Sequence, residues 1–224
     1  ARPGKRAACG PIRGRDSRDT VAVRRSRSAE GSTSTASQLE DFVLPLCGSS
    51  MQEVTKHRYN WDTKTWHSES VLVQIEHQPY AEGQTRVAYR MLDYSLPAGK
   101  RACVCKARKR PSRKQCFVDV EMQELCAALA REYNKAKPPK KVKFVDSCVI
   151  VCPGTCADGS VSPRAASDTV LMVEAFLKGR YLKYNNNMGY VPPRARSTPQ
   201  AFSHWTYAYT RGALMVVDIQ GVDD

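Results

Sequence analysis

Residues 197–224 read STPQAFSHWTYAYTRGALMVVDIQGVDD, and this stretch carries the most ordered pattern in the chain. Thr198 followed by Pro199 predicts a helix start, with a hydroxyl N-cap and proline at the first helical position. The helix is predicted over 199–210, and Gly212 is expected to stop it. The stretch therefore predicts a helix that leads into an apolar segment.

The apolar run 213–220 predicts a buried strand that ends on Asp218 and Gln220. Polar residues at the end of a buried strand often face an active cleft. An Asp in that position can accept a hydroxyl proton or position a metal-bound phosphate. A solvated strand end is an equally open interpretation of the same pattern.

Further upstream, 142–152 and 168–177 predict strands, while the polar, Asn-rich segment 179–191 predicts a turn at Gly189. Glu174 interrupts the second strand. A single acid in an apolar strand lies either at its solvated end or hydrogen-bonded at a cleft, and periodicity leaves both open.

The N-terminal half predicts three short antiparallel strands over 71–77, 86–92 and 101–107, followed by a helix over 116–137. The turn at 81–85 contains glycine. This order of elements indicates an α+β fold, with a small antiparallel sheet and a helix packed on it.

Lys106 closes the third of these strands, and Arg86 follows the glycine-containing turn. A fixed positive charge beside a loop whose backbone can be approached closely suits phosphate oxygens. The loop is neither a P-loop nor the G-x-G-x-x-G loop of ordinary protein kinases. A solvated lysine at a strand end is the alternative.

Composition limits the number of domains and the kinds of partner that the chain can have. The 224 residues suit one domain plus a tail, and the Arg- and Ser-rich residues 1–40 predict a disordered basic tail. Lys plus Arg number 35 and Asp plus Glu 22, so the net charge is +13, which favours anionic partners. No apolar run approaches the roughly 18 residues needed to span a bilayer, which excludes a membrane-spanning helix.

The nine cysteines are irregularly spaced and odd in number, which predicts reduced thiols and a cytoplasmic protein. Cys148, Cys152 and Cys156 recur every four residues, as zinc ligands on a helix could. Pro153 breaks a helix there and no C-x-x-C pair is present, so ordinary buried or loop cysteines are predicted.

Taken together, five stretches resemble the alpha-kinase family, the atypical protein kinases that include myosin heavy chain kinases, elongation-factor-two kinase and melastatin channel-kinases. The resemblance covers about residues 57–224, and its segments are QPYAEGQTRVAY (78–89), CVCKA (103–107), EYNKAKPPKKV (132–142), VEAFLKGRYLKYNNNMGYV (173–191) and residues 197–224.

The resemblance implies a two-lobed fold in which residues 41–224 form the kinase domain. The N-lobe, an antiparallel sheet plus a helix, is expected over about 57–172, the hinge over about 173–177, and part of the C-lobe over 178–224. The implied activity is ATP- and Mg²⁺-dependent transfer of a phosphoryl group to a Ser or Thr hydroxyl of a protein substrate.

The family's nucleotide positions map onto this chain residue by residue. Lys106 matches the lysine that binds phosphates, in Val-Cys-Lys where relatives have Val-Ala-Lys. Glu174 and Phe176 match the hinge that holds adenine. The phosphate-covering loop corresponds to Gly83, Gln84, Thr85 and Arg86.

In the C-lobe, the resemblance makes Asp218 the proton acceptor or catalytic organiser and Gln220 a nucleotide and metal contact. His204 matches one ligand of a structural zinc. The other ligands, a magnesium-binding Asp and a glycine-rich substrate loop follow in the family beyond the position of Asp224, so the chain is expected to be a domain cut short. A truncated ATP-binding pseudokinase and, from charge alone, a nucleic-acid-binding protein are the alternatives, the latter not favoured.

Overall fold

The structure is a computed structural model that describes residues 21–25, 49, 51–154, 168–194 and 196–223. Its elements form two sheets and two helices. In chain order they are β1 (Val21–Arg25), β2 (Met51–Asn60), β3 (Thr65–Ile75), β4 (Ala81–Glu82), β5 (Arg86–Asp93), the 3₁₀ turn Ala98–Lys100, β6 (Ala102–Arg108), α1 (Arg113–Lys135), β7 (Val142–Phe144), β8 (Ser147–Cys152), β9 (Thr169–Ala175), β10 (Arg180–Lys183), α2 (Ser197–Tyr209) and β11 (Ile219–Asp223).

The larger sheet is antiparallel throughout, in the order β3-β2-β8-β9-β6-β5-β4. Strand β3 also pairs with β5, which closes six of the seven strands into a ring and leaves β4 on the outside. Alternate side chains fill the ring, because successive residues of a strand point to opposite faces. The core inside the ring contains Val54, Val71, Val73, Met91, Cys103, Cys105, Cys148, Ile150, Cys152, Leu171 and Val173.

Helix α1 packs against both sheets. Its Ser112 N-cap accepts a hydrogen bond from the Gln115 amide at 3.3 Å, so the helix begins three residues before the predicted start. Cys116 and Val120, near its N-terminus, pack on the outer face of β8 and β9. Its C-terminal half packs into a second core with Phe144, Phe202 and Ile219.

The smaller sheet has the order β10-β11-β1-β7, with β1 parallel to β11 and antiparallel to β7. Strand β1 lies within the tail that was predicted to be disordered, and for Val21–Arg25 that prediction is wrong. The alternating Val-Ala-Val of this short run suits a strand that fills the gap between two others. The other residues of the predicted tail lie outside the described part of the chain.

One further strand prediction is wrong, and one strand was not predicted. The strand predicted over 142–152 is divided at Val145 and Asp146 into β7 and β8, which belong to different sheets. The segment 179–191 contains β10 as well as the predicted turn, because β10 pairs with β11. Most of the loop predicted over 153–167 lies outside the described residues.

The helix–strand unit at the C-terminus also differs from the prediction. The N-cap of α2 is Arg196, without a side-chain capping bond, and Thr198 lies within the first turn. Residues 213–218 form no strand, because Val216 N–H donates to Thr206 Oγ1 at 3.0 Å and Leu214 N–H to Thr210 Oγ1 at 3.2 Å. These amides are hydrogen-bonded to helix hydroxyls instead of to a neighbouring strand. In the described segments, neither helix has the length and apolar character needed to cross a bilayer.

Candidate functional site

A buried ion pair joins two central strands of the ring. Lys106 on β6 and Glu174 on β9 project from the same outer face, and Lys106 Nζ lies 2.7 Å from Glu174 Oε2. Glu174 is only 5% exposed, which settles the open alternative for this residue: it is hydrogen-bonded and buried at the end of an apolar strand. A carboxylate in such a place holds the lysine in one position, and its removal would leave a buried charge unpaired.

The loop before β5 is closed on itself and tied to its neighbours. Gly83 N–H donates to the Arg86 carbonyl at 2.8 Å, and Lys109 N–H donates to the Thr85 carbonyl at 2.9 Å. A Cβ at Gly83 would meet only the Arg86 carbonyl oxygen, at 3.6 Å, so packing does not demand glycine there. The open space beside the loop is what a phosphate group needs to approach its backbone.

Arg86 is anchored on the helix. Its guanidinium donates to Asp119 Oδ2 at 2.6 Å, and Arg108 donates to the same oxygen at 2.8 Å. Gln115 Nε2 donates to the other carboxylate oxygen at 3.0 Å. Asp119 therefore fixes α1, the loop and the end of β6 to one another. The sequence analysis missed Asp119, although its position in the first turns of a helix beside a basic loop was a signal.

Aromatic contacts surround the segment after β9. Phe176 lies edge-on to Tyr80 with ring centroids 6.2 Å apart, and the Arg90 guanidinium lies 4.9 Å from the Tyr80 centroid on its face. Phe176 N–H donates to the Ala102 carbonyl at 3.0 Å, which holds the segment to β6. Tyr80 precedes the loop and was not selected from the sequence. These rings offer apolar faces and edges beside the segment, which a flat heterocycle can contact.

Asp218 is placed by an unusual backbone conformation. Its φ is +58°, a left-handed value that costs free energy for a residue other than glycine. The residue is 7% exposed, and Oδ1 lies 3.1 Å from Lys183 Nζ. The prediction of a strand ending on Asp218 is wrong, since Asp218 precedes β11, and the solvated alternative is excluded by its burial.

A side-chain amide positions the chain next to Asp218. Asn185 Oδ1 accepts a hydrogen bond from Ile219 N–H at 2.9 Å, and its Nδ2 donates to Gln200 Oε1 and Ser203 Oγ, both at 3.0 Å. The network links the end of β10, helix α2 and β11. The Asn-rich segment was assigned only to a turn, so the sequence analysis missed this role.

Tyr181 on β10 provides the electrostatic link between the two sheets. Desolvation of its hydroxyl, together with the negative charges of Asp218 and Glu174, raises its pKa. Tyr181 therefore lies near enough to both carboxylates for their charges to affect its hydroxyl.

Two residues around Asp218 offer oxygen ligands of the kind that magnesium binds. Asp218 supplies a carboxylate, and Gln220, 4% exposed on β11, supplies a side-chain amide. Mg²⁺ is commonly bound by one or two carboxylates together with substrate phosphates and waters. These two oxygen donors are the pair that the chain would offer to a phosphate-bound ion.

The zinc prediction for His204 stays a prediction. His204 is exposed on α2, and no group of three or more His, Cys, Asp or Glu side chains in the described segments is arranged to hold a metal ion. The six described cysteines are buried and free, and burial raises the pKa of Cys103, Cys105, Cys126 and Cys148 to about 12. The prediction of ordinary buried thiols is confirmed for these six, and Cys9, Cys47 and Cys156 lie outside the described residues.

Comparisons with known proteins agree with this geometry. A model of the alpha-kinase family matches residues 81–224. Myosin heavy chain kinase B of Dictyostelium discoideum is 37% identical over 191 residues, which cover 82% of this chain and 25% of that protein. Eukaryotic elongation factor 2 kinase of Homo sapiens is 36% identical over 181 residues, covering 77% and 24%. The chain thus spans a quarter or less of the length of these relatives.

Solved structures are similar as well. The alpha-kinase domain of myosin-II heavy chain kinase A in complex with AMP-PNP matches with a TM-score of 0.67 and 28% identity, covering 79% of this chain and 80% of that one. An inactive form of that domain complexed with ATP matches with a TM-score of 0.66, covering 77% and 80%. The predicted fold class, helices with an antiparallel sheet in the arrangement of an alpha-kinase domain, is confirmed.

Proposed function

The chain belongs to the alpha-kinase family, and from that premise we propose that it forms the ATP-binding part of a protein kinase that phosphorylates Ser or Thr. The observation that carries the proposal is the buried Lys106–Glu174 pair beside an open, glycine-containing loop. A fixed ammonium beside a glycine-containing loop, with room for a group to approach at Gly83, suits phosphate binding.

Lys106 would bind the phosphates without leaving Glu174. An ammonium has three donors, and the carboxylate takes one, so the others are available to phosphate oxygens. The loop Gly83–Thr85 would cover the phosphates, with Arg86 held by Asp119 as a second fixed cation. Since these groups are in position before the ligand arrives, little free energy is spent on ordering them.

The adenine ring would lie beside Phe176 and Tyr80. The hinge follows directly on β9 and is fixed to β6 through the Phe176 amide, so the adenine position and Lys106 have a fixed separation. Stacking and edge contacts with these rings would contribute about 1 kcal/mol beyond the burial of apolar area.

Asp218 would orient the acceptor hydroxyl and take its proton. The left-handed backbone at this residue and the Asn185 hydrogen bond to Ile219 N–H fix the position of the carboxylate. Lys183 neutralises part of its charge in the absence of ligand. Bound Mg²⁺ would neutralise charge on the transferred phosphoryl group, with Asp218 and Gln220 as the protein oxygens nearest to hold it.

The paired state of the cations supports this proposal over nucleic-acid binding. Arg86 and Arg108 share Asp119, and Lys109 lies 2.5 Å from Glu82. A nucleic-acid groove would instead present a row of cations to the phosphate backbone. The free state of the six described thiols supports a reducing compartment, and we include the cytoplasm in the proposal.

Phosphoryl transfer from radiolabelled ATP to a Ser/Thr-rich acceptor peptide tests the proposal, together with calorimetric ATP affinity. Asp218→Asn is expected to lower turnover by about a hundredfold or more, because general base catalysis contributes that much, while the affinity for ATP measured without Mg²⁺ is retained. Asp62→Asn, an exposed residue on the β2–β3 turn, is the control and should leave both unchanged. ATP binding without any turnover by the unmodified chain would favour the non-catalytic alternative.

A further inference from the structure

A second space lies behind the hinge. It is a cavity of about 510 Å³, within the range of small-molecule pockets. Its lining does not include the loop Gly83–Arg86, Lys106, Asp218 or Gln220, but it does include Glu174 and Phe176, so the cavity and the proposed nucleotide cleft share the hinge.

The cavity opens from the interior of the ring. Cys103 and Val173 line it, and both belong to the core inside the ring, whereas Lys106 projects from the opposite face of the same strand as Cys103. The hinge from Glu174 to Lys178 lines the cavity, and Lys106 of the proposed nucleotide cleft pairs with the first residue of the same hinge.

The polar floor of the cavity is an ion pair with almost no exposure. Lys56 is 3% exposed and Asp93 1%. Lys56 Nζ donates to Asp93 Oδ2 at 2.5 Å and to Ser95 Oγ at 3.1 Å, while Ser95 Oγ and N–H donate to Asp93 Oδ1 at 2.6 and 2.9 Å. The ammonium has a third donor, and the described residues provide two acceptors.

A buried N–H donor without an acceptor lowers the stability of the folded chain. Desolvating a polar group without a partner costs about 1–3 kcal/mol, and more for a charged one. Ser147 adds a second case, since its buried Oγ has no hydrogen-bond partner in the described part of the chain. A group that brings acceptor oxygens into the cavity would satisfy both.

Charge at the mouth favours an anion. Lys100, Lys143 and Lys178 line the cavity and are exposed; of the acids that line it, Asp93 and Glu174 are each paired with a lysine, and Glu124 and Asp146 lie near each other. Burial and the neighbouring Asp146 raise the pKa of Glu124, so this carboxyl gives up its charge more readily than an ordinary glutamate. The remaining wall is apolar, with Leu96, Val173 and Leu177 among its residues.

We propose that this cavity is a second ligand site, which binds a small organic anion: an apolar body that carries one carboxylate or phosphate. The acidic group would accept from the Lys56 ammonium and lie near the lysines of the mouth, and the apolar body would lie against the hinge wall. The proposal goes beyond the kinase function and does not depend on it.

Calorimetric titration of the whole 224-residue chain with benzoate and with phenyl phosphate, each with excess ADP present, tests the site. One equivalent of at least one probe should bind, and the tighter probe identifies the acidic group. Lys100→Glu combined with Lys143→Glu should weaken binding about tenfold or more, because two attractive charges become repulsive. Lys114→Glu combined with Lys140→Glu, two exposed lysines outside the cavity, should change it little.

A second variant tests the floor. Lys56→Met combined with Asp93→Leu replaces both members of the pair by apolar groups of similar size, which leaves no unpaired charge and preserves folding. Probe binding should be lost in this variant. The proposal is overturned if neither probe binds, if the mouth variant binds as tightly as the unmodified chain, or if ADP competes with the probe. Absence of ADP binding would count against the kinase function alone.

Discussion

The closed ring and the smaller four-stranded sheet position their functional residues by different means. In the ring, Lys106 and Glu174 lie on neighbouring strands, so strand register alone brings them together. In the smaller sheet, strands come from four distant parts of the chain, and Asp218 sits outside the ladder in a left-handed conformation. There the placement depends on side-chain hydrogen bonds from Asn185 and on Lys183.

Substitutions in the ring and in the smaller sheet should therefore have different consequences. The ring has no open edge except at β4, and its seam is reinforced inside by Lys56 and Asp93. The smaller sheet is not closed, and the polar contacts of Asn185 and Lys183 hold Asp218 in place. Damage to the ring should therefore affect global stability, and damage to the smaller sheet should affect catalysis first.

The largest loss of unfolding free energy is expected from breaking the buried Lys56–Asp93 pair inside the ring. Lys56→Ala leaves the Asp93 carboxylate buried without its partner, which typically costs about 3–5 kcal/mol of unfolding free energy. Arg58→Ala is the control on the same strand, because this arginine is 48% exposed and its pair with Glu69 should contribute at most about 1 kcal/mol. Urea unfolding measures both, and equal losses would contradict a special role for the interior pair.

The same pair predicts a pH dependence. Burial works to raise the Asp93 pKa, but the hydrogen bonds from Lys56 and Ser95 and the charge of Lys56 outweigh it, so the folded pKa is lowered. The stabilisation is therefore present above the ordinary aspartate pKa and is lost as the pH falls through the lower, folded value. In the Lys56→Met and Asp93→Leu double variant, acid unfolding should lose this component, and an unchanged pH profile would contradict it.

The next effect tests the smaller sheet. Asn185→Leu keeps the shape of the side chain but leaves the Ile219 N–H unpaired, at a cost of about 1–3 kcal/mol. We expect faster hydrogen exchange at Ile219 and lower phosphoryl transfer, with ATP affinity retained. Asn187→Leu, on the exposed side of the same segment, should do neither. A fall in ATP affinity equal to the fall in turnover would show that the two halves are not separable.

A smaller effect is expected where the helix joins the loop. Asp119→Asn keeps the hydrogen-bonding shape but removes the charge shared by Arg86 and Arg108, so the KM for ATP should rise about tenfold. Glu132→Gln, a surface acid of the same helix paired with Lys135, is the control. A change in kcat without a change in KM would argue against a role in nucleotide binding.

The smallest effect concerns the thiols inside the ring. With pKa values of about 12, Cys103, Cys105 and Cys148 should resist alkylation in the folded chain at pH 8 and react once urea unfolds it. Mass spectrometry identifies the modified residues. Rapid labelling of Cys105 in the folded chain would show that the ring opens readily.

The comparison also explains what could be predicted from sequence. Strands β3, β5, β6 and β9 were predicted, and Lys106 in β6 and Glu174 in β9 were selected within them. The ring closure was not, because β3 and β5 meet through register that no local pattern encodes. Asp218 was selected although the strand around it was wrong, since hydroxyls of Thr206 and Thr210 bind amides that apolar periodicity assigned to a ladder. The domain boundaries stay predictions.

The most direct test of the central claim is the affinity of the chain for ATP, measured by calorimetry with and without the Lys106 ammonium. Lys106→Met combined with Glu174→Gln removes the charge and leaves no buried ion unpaired, and Lys109→Met, at an exposed pair with Glu82, is the control. The account predicts ATP affinity about a hundredfold lower in the first variant and unchanged in the second. Equal affinity in the unmodified chain and the Lys106 variant, with both folded, would contradict it.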